Sequence, residues 1–497
     1  MLITERLQLA ARGTPSFNYH GQVHYQGRLA HFFAQREKLF FLLFIFMLPF
    51  QRVIFLRNDL FGIQGAKPSN LLAAIVLAYL MFRGASPLRA TDEIELRSLR
   101  IFLLYFAIFA IALIRSIPNA SLFHGRFPDV FPESYFDYIL SACIVPSFYI
   151  LPFLFVLTRM CSFQDLERIT TLICLSVLLL SVAFIILVLM HPSVLSSGSP
   201  DEMAEVVSSN RDDMGKLCET YFGIYYNTIG TIYICTMPLL LYKALRNSFW
   251  IIPLGISLVA VLLLQSRSAL IVVAISYCLF LIQRRKYLIL IVGATAIGIV
   301  SLLWIGPTID ALLSVGFQNG SGFSANALLT DRVSLIWVPL VDEWTSNIGL
   351  FLFGAGRFGM ITSQLWYTGA LYHATHAHNA FIDFFLDNGA ILSVVLIIFL
   401  YAGIVTAWRA GQTLDSDLYW ALFAGIFGFG IGMMTEREIF PTIDNMYVFP
   451  IIAMMINLVR LHYLYQPDDD LWPLAADRDA AAEPIPEEEH QVENADG

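Results

Sequence analysis

Charge is scarce in this sequence: Asp, Glu, Lys and Arg together make up 14% of the chain, against the roughly 25% of an ordinary soluble domain. With 57% hydrophobic residues and a mean hydropathy of +0.66, that shortage excludes a soluble globular chain. Cysteine is sparse too. The six residues Cys143, Cys161, Cys174, Cys218, Cys235 and Cys278 are scattered, mostly inside apolar runs, so they form neither a disulfide framework nor a metal-ligand pattern. No internal repeat and no soluble second domain are visible. A cleavable signal peptide is not expected either, because polar residues 1 to 38, with Arg6, Arg12, Arg28, Arg36 and Lys38, stand ahead of the first apolar run. The net charge of -9 says little about partners, since much of the acid lies in the tail from Gln466. No nucleic-acid partner is expected.

Long apolar runs are what the chain has instead. They extend over roughly 16 to 23 residues, enough to cross a bilayer. The expected fold is an all-α polytopic membrane protein with about twelve spans, the first at Leu39–Leu56 and the last at Met446–Leu464. A cytoplasmic arm (1–38), a transmembrane domain (39–465) and a disordered acidic tail (466–497) complete the division. Arg and Lys fall in alternate connections: Arg83, Arg89, Arg97 and Arg100; Arg159 and Arg168; Lys243 and Arg246; Arg284, Arg285 and Lys286; Arg409; Arg460. The positive-inside rule then puts both termini in the cytoplasm and Pro307 to Ala380 on the outer side. In that loop, Val333, Ile336, Trp337, Leu340, Val341 and Trp344 recur at helical spacing, so short amphipathic helices on the outer surface are expected.

Polar chemistry gathers on that side. Histidines 373, 376 and 378 precede the span Phe381–Trp408, placing groups that exchange protons near neutral pH at the mouth of a membrane helix. They read as zinc ligands crowded into one turn, as interfacial structural residues, or as a general base. Asp383 and Asp387, one helical turn apart, lie below them. Arg267, in a tight turn between two spans, reads as an oxyanion clamp or as a snorkelling cation. Arg332 reads as a clamp or as the local partner of Asp331. Glu436, Arg437 and Glu438 form a short outer turn.

Four stretches together resemble the O-antigen ligase and polymerase superfamily: Ser266-Arg-Ser-Ala; Asp331-Arg-Val-Ser-Leu-Ile-Trp; Leu352-Phe-Gly-Ala-Gly-Arg-Phe-Gly; and His376-Ala-His-Asn-Ala-Phe-Ile-Asp. Their order and spacing match that family's shared region, here about residues 250 to 410. The resemblance implies a bacterial inner-membrane glycosyltransferase with its active site facing the periplasm. It implies transfer of a glycan from undecaprenyl diphosphate to an acceptor hydroxyl, on lipid A-core in the ligases and on another lipid-linked repeat in the polymerases, without metal or other cofactor. Arg267 and Arg332 would hold the diphosphate. His378, with His376 as its rival, would act on the hydroxyl, and Asn379, Asp383 and Arg357 are candidate supports. The competing class is a transporter or flippase of lipid-linked glycans, which would carry charge at mid-membrane depth and paired broken helices.

Overall fold

The computed structural model describes residues 27–53, 67–82, 93–128, 130–195, 203–264, 266–291, 293, 332–366, 376–434 and 439–464. The arm before Gly27, most of the expected span Tyr287–Gly306, the outer loop as far as Asp331, the stretch 367–375 with His373, the Glu436–Glu438 turn and the acidic tail lie outside the described residues. Among the described residues the chain is helical, with no strand. The helices are α1 (Gly27–Met47), α2 (Pro68–Phe82), α3 (Glu93–Ser116), α4 (Ala120–Arg126), α5 (Tyr135–Arg159), α6 (Phe163–Met190), α7 (Met203–Phe222), α8 (Tyr226–Arg246), α9 (Ile251–Leu263) and α10 (Arg267–Gln283). They continue with α11 (Val338–Ser346), α12 (Ile348–Phe353), α13 (Ala380–Leu414), α14 (Asp417–Gly432) and α15 (Val448–Leu464).

Among the described residues six helical segments are long and apolar enough to cross a membrane, and four shorter apolar helices accompany them. The chain is an all-α membrane protein. At its centre is α8, buried continuously from Thr228 to Tyr242 and enclosed by α6, α9, α10 and α14. Apolar side chains gain nothing by leaving lipid for one another, so close approach depends on small residues. Gly425 and Gly428 of α14 supply it: a Cβ on Gly425 would lie 2.4 Å from the Cys235 carbonyl oxygen, and one on Gly428 2.1 Å from Ser276 Oγ.

The two ends of the bundle differ. One collects ion pairs: Lys38–Asp165 at 2.6 Å, Arg159–Glu37 at 3.4 Å, Arg246–Glu167 at 3.3 Å, Arg284–Asp415 at 2.6 Å and Arg460–Glu95 at 2.8 Å, with Lys243–Glu167 and Arg284–Asp417 beside them. The buried Arg460–Glu95 pair explains why α3 begins at Glu93 and not at Leu99, where hydropathy starts its span. Arg460 also donates to Leu157 O and Asn457 Oδ1, so the buried charges are paired and hydrogen-bonded. At the opposite end sit the N-termini of α8, α10 and α13, the C-terminus of α14 and the turn at Ile443–Asn445. Asn227 bonds to Ser266, Thr228 to Asp444, and Ala380 N–H to Met433 O.

Part of the polar stretch 191–220 is helical. Helix α7 buries Met214, Cys218 and Phe222, spaced four residues apart, which is a helical stripe too narrow for a span.

Candidate active site

The site is built around the N-terminus of α13. Asn379 caps the helix, its side chain accepting from Phe381 N–H and Ile382 N–H, which satisfies donors left over by the helical pattern. The three residues before the helix are fixed on every side. Trp337 Nε1 donates to Ala377 O at 2.7 Å, Asp383 Oδ1 accepts from Ala377 N–H at 2.8 Å, and Ala380 N–H reaches Met433 O at 2.9 Å. Inside this frame His378 has φ +54, a left-handed conformation that costs a non-glycine residue about 1–3 kcal/mol and persists where surroundings over-determine it. The His376 and His378 rings stand 4.1 Å apart, centroid to centroid, at 57°. Both are half-buried.

Trp337 brings a second component. It closes a π-helical turn, Val333–Trp337, whose N-cap is Arg332. Trp337 bonds directly to the histidine segment, and half-buried Arg332 stands at the other end of the same π turn. Leu340, Met360, Ala377 and Leu386 pack as a small core beneath, with Ile336, Trp344 and Ile382 against it. Of the apolar residues at helical spacing in this segment, Ile336, Trp337, Leu340 and Trp344 pack here, while Val341 is exposed.

The third component is the loop Gly354 to Gly359. Its N–H groups reach the backbone of α13, Ala355 to Leu386 O at 2.7 Å and Gly356 to Asp387 O at 2.9 Å, while Arg357 N–H reaches Ala112 O of α3 at 2.8 Å. Asp387 Oδ1 accepts from Gly359 N–H at 2.7 Å and Asp387 Oδ2 faces Arg357 Nη1 at 3.3 Å. The Arg357 guanidinium also lies over the rings of Phe358 and Phe440, at 4.4 and 5.2 Å. Asp383 and Asp387 therefore take separate tasks: Asp383 fixes the backbone of the histidine segment, and Asp387 ties the glycine loop to the helix. Arg357 belongs to the second group, buried at 5% exposure, and is a structural brace.

Arg267 is the first residue of α10, after the N-cap Ser266, whose hydroxyl accepts from Ala269 N–H. Its side chain lies outside the described residues. Its backbone stands at the N-terminus of that helix. Ser266 and the histidine segment share one end of the bundle, joined through α8 and α14. Arg115 and Arg126 escaped the sequence reading. They donate to Gly354 O and to Ile361 O and Ser363 O, stapling the segment 354–363 to α3 and α4. A signal was available for Arg115, which closes an apolar run at an end where the charge rule expects few cations. No protein-family model matches the chain, and no curated protein matches it significantly.

Proposed function

We propose that this chain is an inner-membrane glycosyltransferase of the O-antigen ligase and polymerase type, with about twelve spans and its active site on the periplasmic side. The acceptor oxygen attacks the anomeric carbon of a glycan carried on undecaprenyl diphosphate. The bond from that carbon to the phosphate oxygen breaks, His378 takes the hydroxyl proton, and undecaprenyl diphosphate departs with its charge held by Arg267 and Arg332. A diphosphate leaves readily when fixed cations meet its developing charge, and a histidine is suited to removing the acceptor proton. The observation that carries this reading is the left-handed His378, set among the hydrogen-bonded residues Ala377, Asn379 and Ala380, with Ala377 tied to the π turn that Arg332 caps. Such strain is stored where a side chain has to be aimed. The acceptor is lipid A-core or a second lipid-linked repeat. In cells lacking the gene, accumulation of single lipid-linked repeats marks a polymerase, and accumulation of lipid-linked polymer marks a ligase.

The second reading is a transporter of the same lipid-linked glycans, for which the break in α13 at Gly389 supplies one of the paired broken helices required. The two separate in proteoliposomes, because transfer changes the length or attachment of the glycan and transport changes neither.

Arg267→Lys and Arg332→Lys should each lower transfer on the order of 10²-fold while the protein still inserts. Lysine keeps the charge and loses the planar fork that grips two phosphate oxygens. Transfer at the unaltered rate by either variant would reduce that arginine to an interfacial anchor.

Sidedness has its own test. In intact cells an impermeant thiol reagent should modify Ser321→Cys and leave Arg284→Cys untouched. Native Cys161, exposed at the ion-paired end, should react only after permeabilisation. Cys218 should stay silent throughout, since it is buried and burial pushes its thiol up to about 12. The reverse labelling pattern would move the histidines to the cytoplasm.

A further inference from the structure

The end of the bundle opposite the histidines holds a groove that glycan transfer does not use. It has a volume of about 460 Å³ and is lined by Leu42 of α1, Glu167, Arg168, Thr171 and Leu172 of α6, and Lys243 of α8. Its walls are mainly apolar, and it is shallow and largely open. Its rim is charged. Glu167 accepts from Tyr242, Lys243 and Arg246, which fixes Lys243 at the groove. Asp165 takes Lys38 at 2.6 Å and stands 3.8 Å from Arg168. Among the lining residues two cations, Arg168 and Lys243, face one carboxylate, Glu167, so the rim stays net positive. Arg168 is the less committed of the two, with a side chain 63% exposed and an ion pair too long for a hydrogen bond.

The surroundings say what kind of anion fits. From Thr171 the same face of α6 continues through Leu175 and Leu179, 38% and 48% exposed, and Leu42 of α1 is flanked by Leu39 and Leu43, 63% and 44% exposed. An apolar stripe therefore runs from the groove along the outside of two helices toward the middle of the membrane. A soluble anion would use the rim and leave that stripe bare.

We propose that the groove binds an anionic phospholipid of the bilayer, its phosphate at Arg168 and Lys243 and one acyl chain along Leu42, Leu172 and Leu175. A zwitterionic headgroup would bring a cation of its own against the same rim. Basic pockets at the ends of membrane helices recognise lipids on these terms. The site lies apart from the histidines, so this inference stands or falls independently of the glycosyltransferase reading.

Native mass spectrometry of the full chain, titrated in detergent with phosphatidylglycerol or with phosphatidylcholine of the same chains, tests it. Phosphatidylglycerol should be retained roughly fivefold better, and Arg168→Gln should erase that preference, as loss of one interfacial cation predicts. Leu172→Trp, which fills the groove, should lower retention of both lipids, and Arg168→Lys should keep the preference. Excess inorganic phosphate should leave the lipid bound. Equal retention of the two lipids, or unchanged retention in both Arg168→Gln and Leu172→Trp, overturns the proposal. Displacement by phosphate overturns it as well, since the groove would then be a site for soluble anions. Arg168 is exposed, so its variants should fold, and a single symmetric size-exclusion peak checks that.

Discussion

His378→Asn should lower glycan transfer by about 10²- to 10⁴-fold, the usual cost of losing a positioned general base. Asparagine is the informative replacement. It enters the left-handed region more readily than most residues, so the backbone at φ +54 is kept while the basic nitrogen is lost. His378→Ala removes the base and strains the backbone together. If the alanine variant is inactive and the asparagine variant is active, the imidazole is no base and the residue matters for conformation alone. Donor binding should survive in His378→Asn, because Arg267 and Arg332 remain. His376→Ala should cost less than either. Its ring packs on that of His378 at 4.1 Å, which suits a residue that steadies the base. The assay uses purified protein and lipid-linked donor, and a chelator should leave the rate unchanged. Inhibition by chelator would revive the zinc reading of the histidines, and full activity in His378→Asn with none in His376→Ala would exchange their roles.

The sequence made the helical membrane class legible because hydropathy reports depth directly: a run of apolar residues has few other places to be. Charge placement reported the ends. Lys243, Arg284 and Arg460, assigned to one side by the alternation rule, do lie at one end of the bundle, each against a carboxylate. Contacts between distant parts of the chain were not legible. Glu95 reads as a loop residue until Arg460 is placed against it. Spacing put Asp383 and Asp387 on one helical face below the histidines. Their tasks are divided because the Gly354–Gly359 loop returns to α13 and claims Asp387, and nothing in the local pattern announces that return. The break in α13 was hidden for a different reason. Hydropathy sums side chains, and the sign of a backbone angle at Gly389 contributes nothing to that sum.

Gly389→Ala should be among the most damaging single changes in the chain, destabilising by about 3 kcal/mol or more. Gly389 has φ +76 and ψ 174, a region essentially restricted to glycine. A Cβ there would also lie 2.4 Å from Leu352 O and from Phe353 N. Those atoms are backbone and cannot swing aside. Gly354 faces the same crossing from the other chain, at φ +72, where a Cβ would lie 2.5 Å from Asp387 O and from Gly389 N. The two glycines let the Gly354–Gly359 loop touch α13, and that contact lets Ala355 and Gly356 bond to Leu386 and Asp387. Each single variant should therefore open the same crossing. Once it is open, the second substitution has little left to break, so the pair should be strongly non-additive. Thermal unfolding in detergent measures this. Gly389→Ala and Gly354→Ala should each lower the midpoint substantially, and the double variant should unfold close to the worse single one. Fully additive losses would mean that the two glycines serve separate contacts. A Gly389→Ala midpoint equal to that of the parent chain would mean that α13 is continuous through this position and that the loop does not dock there.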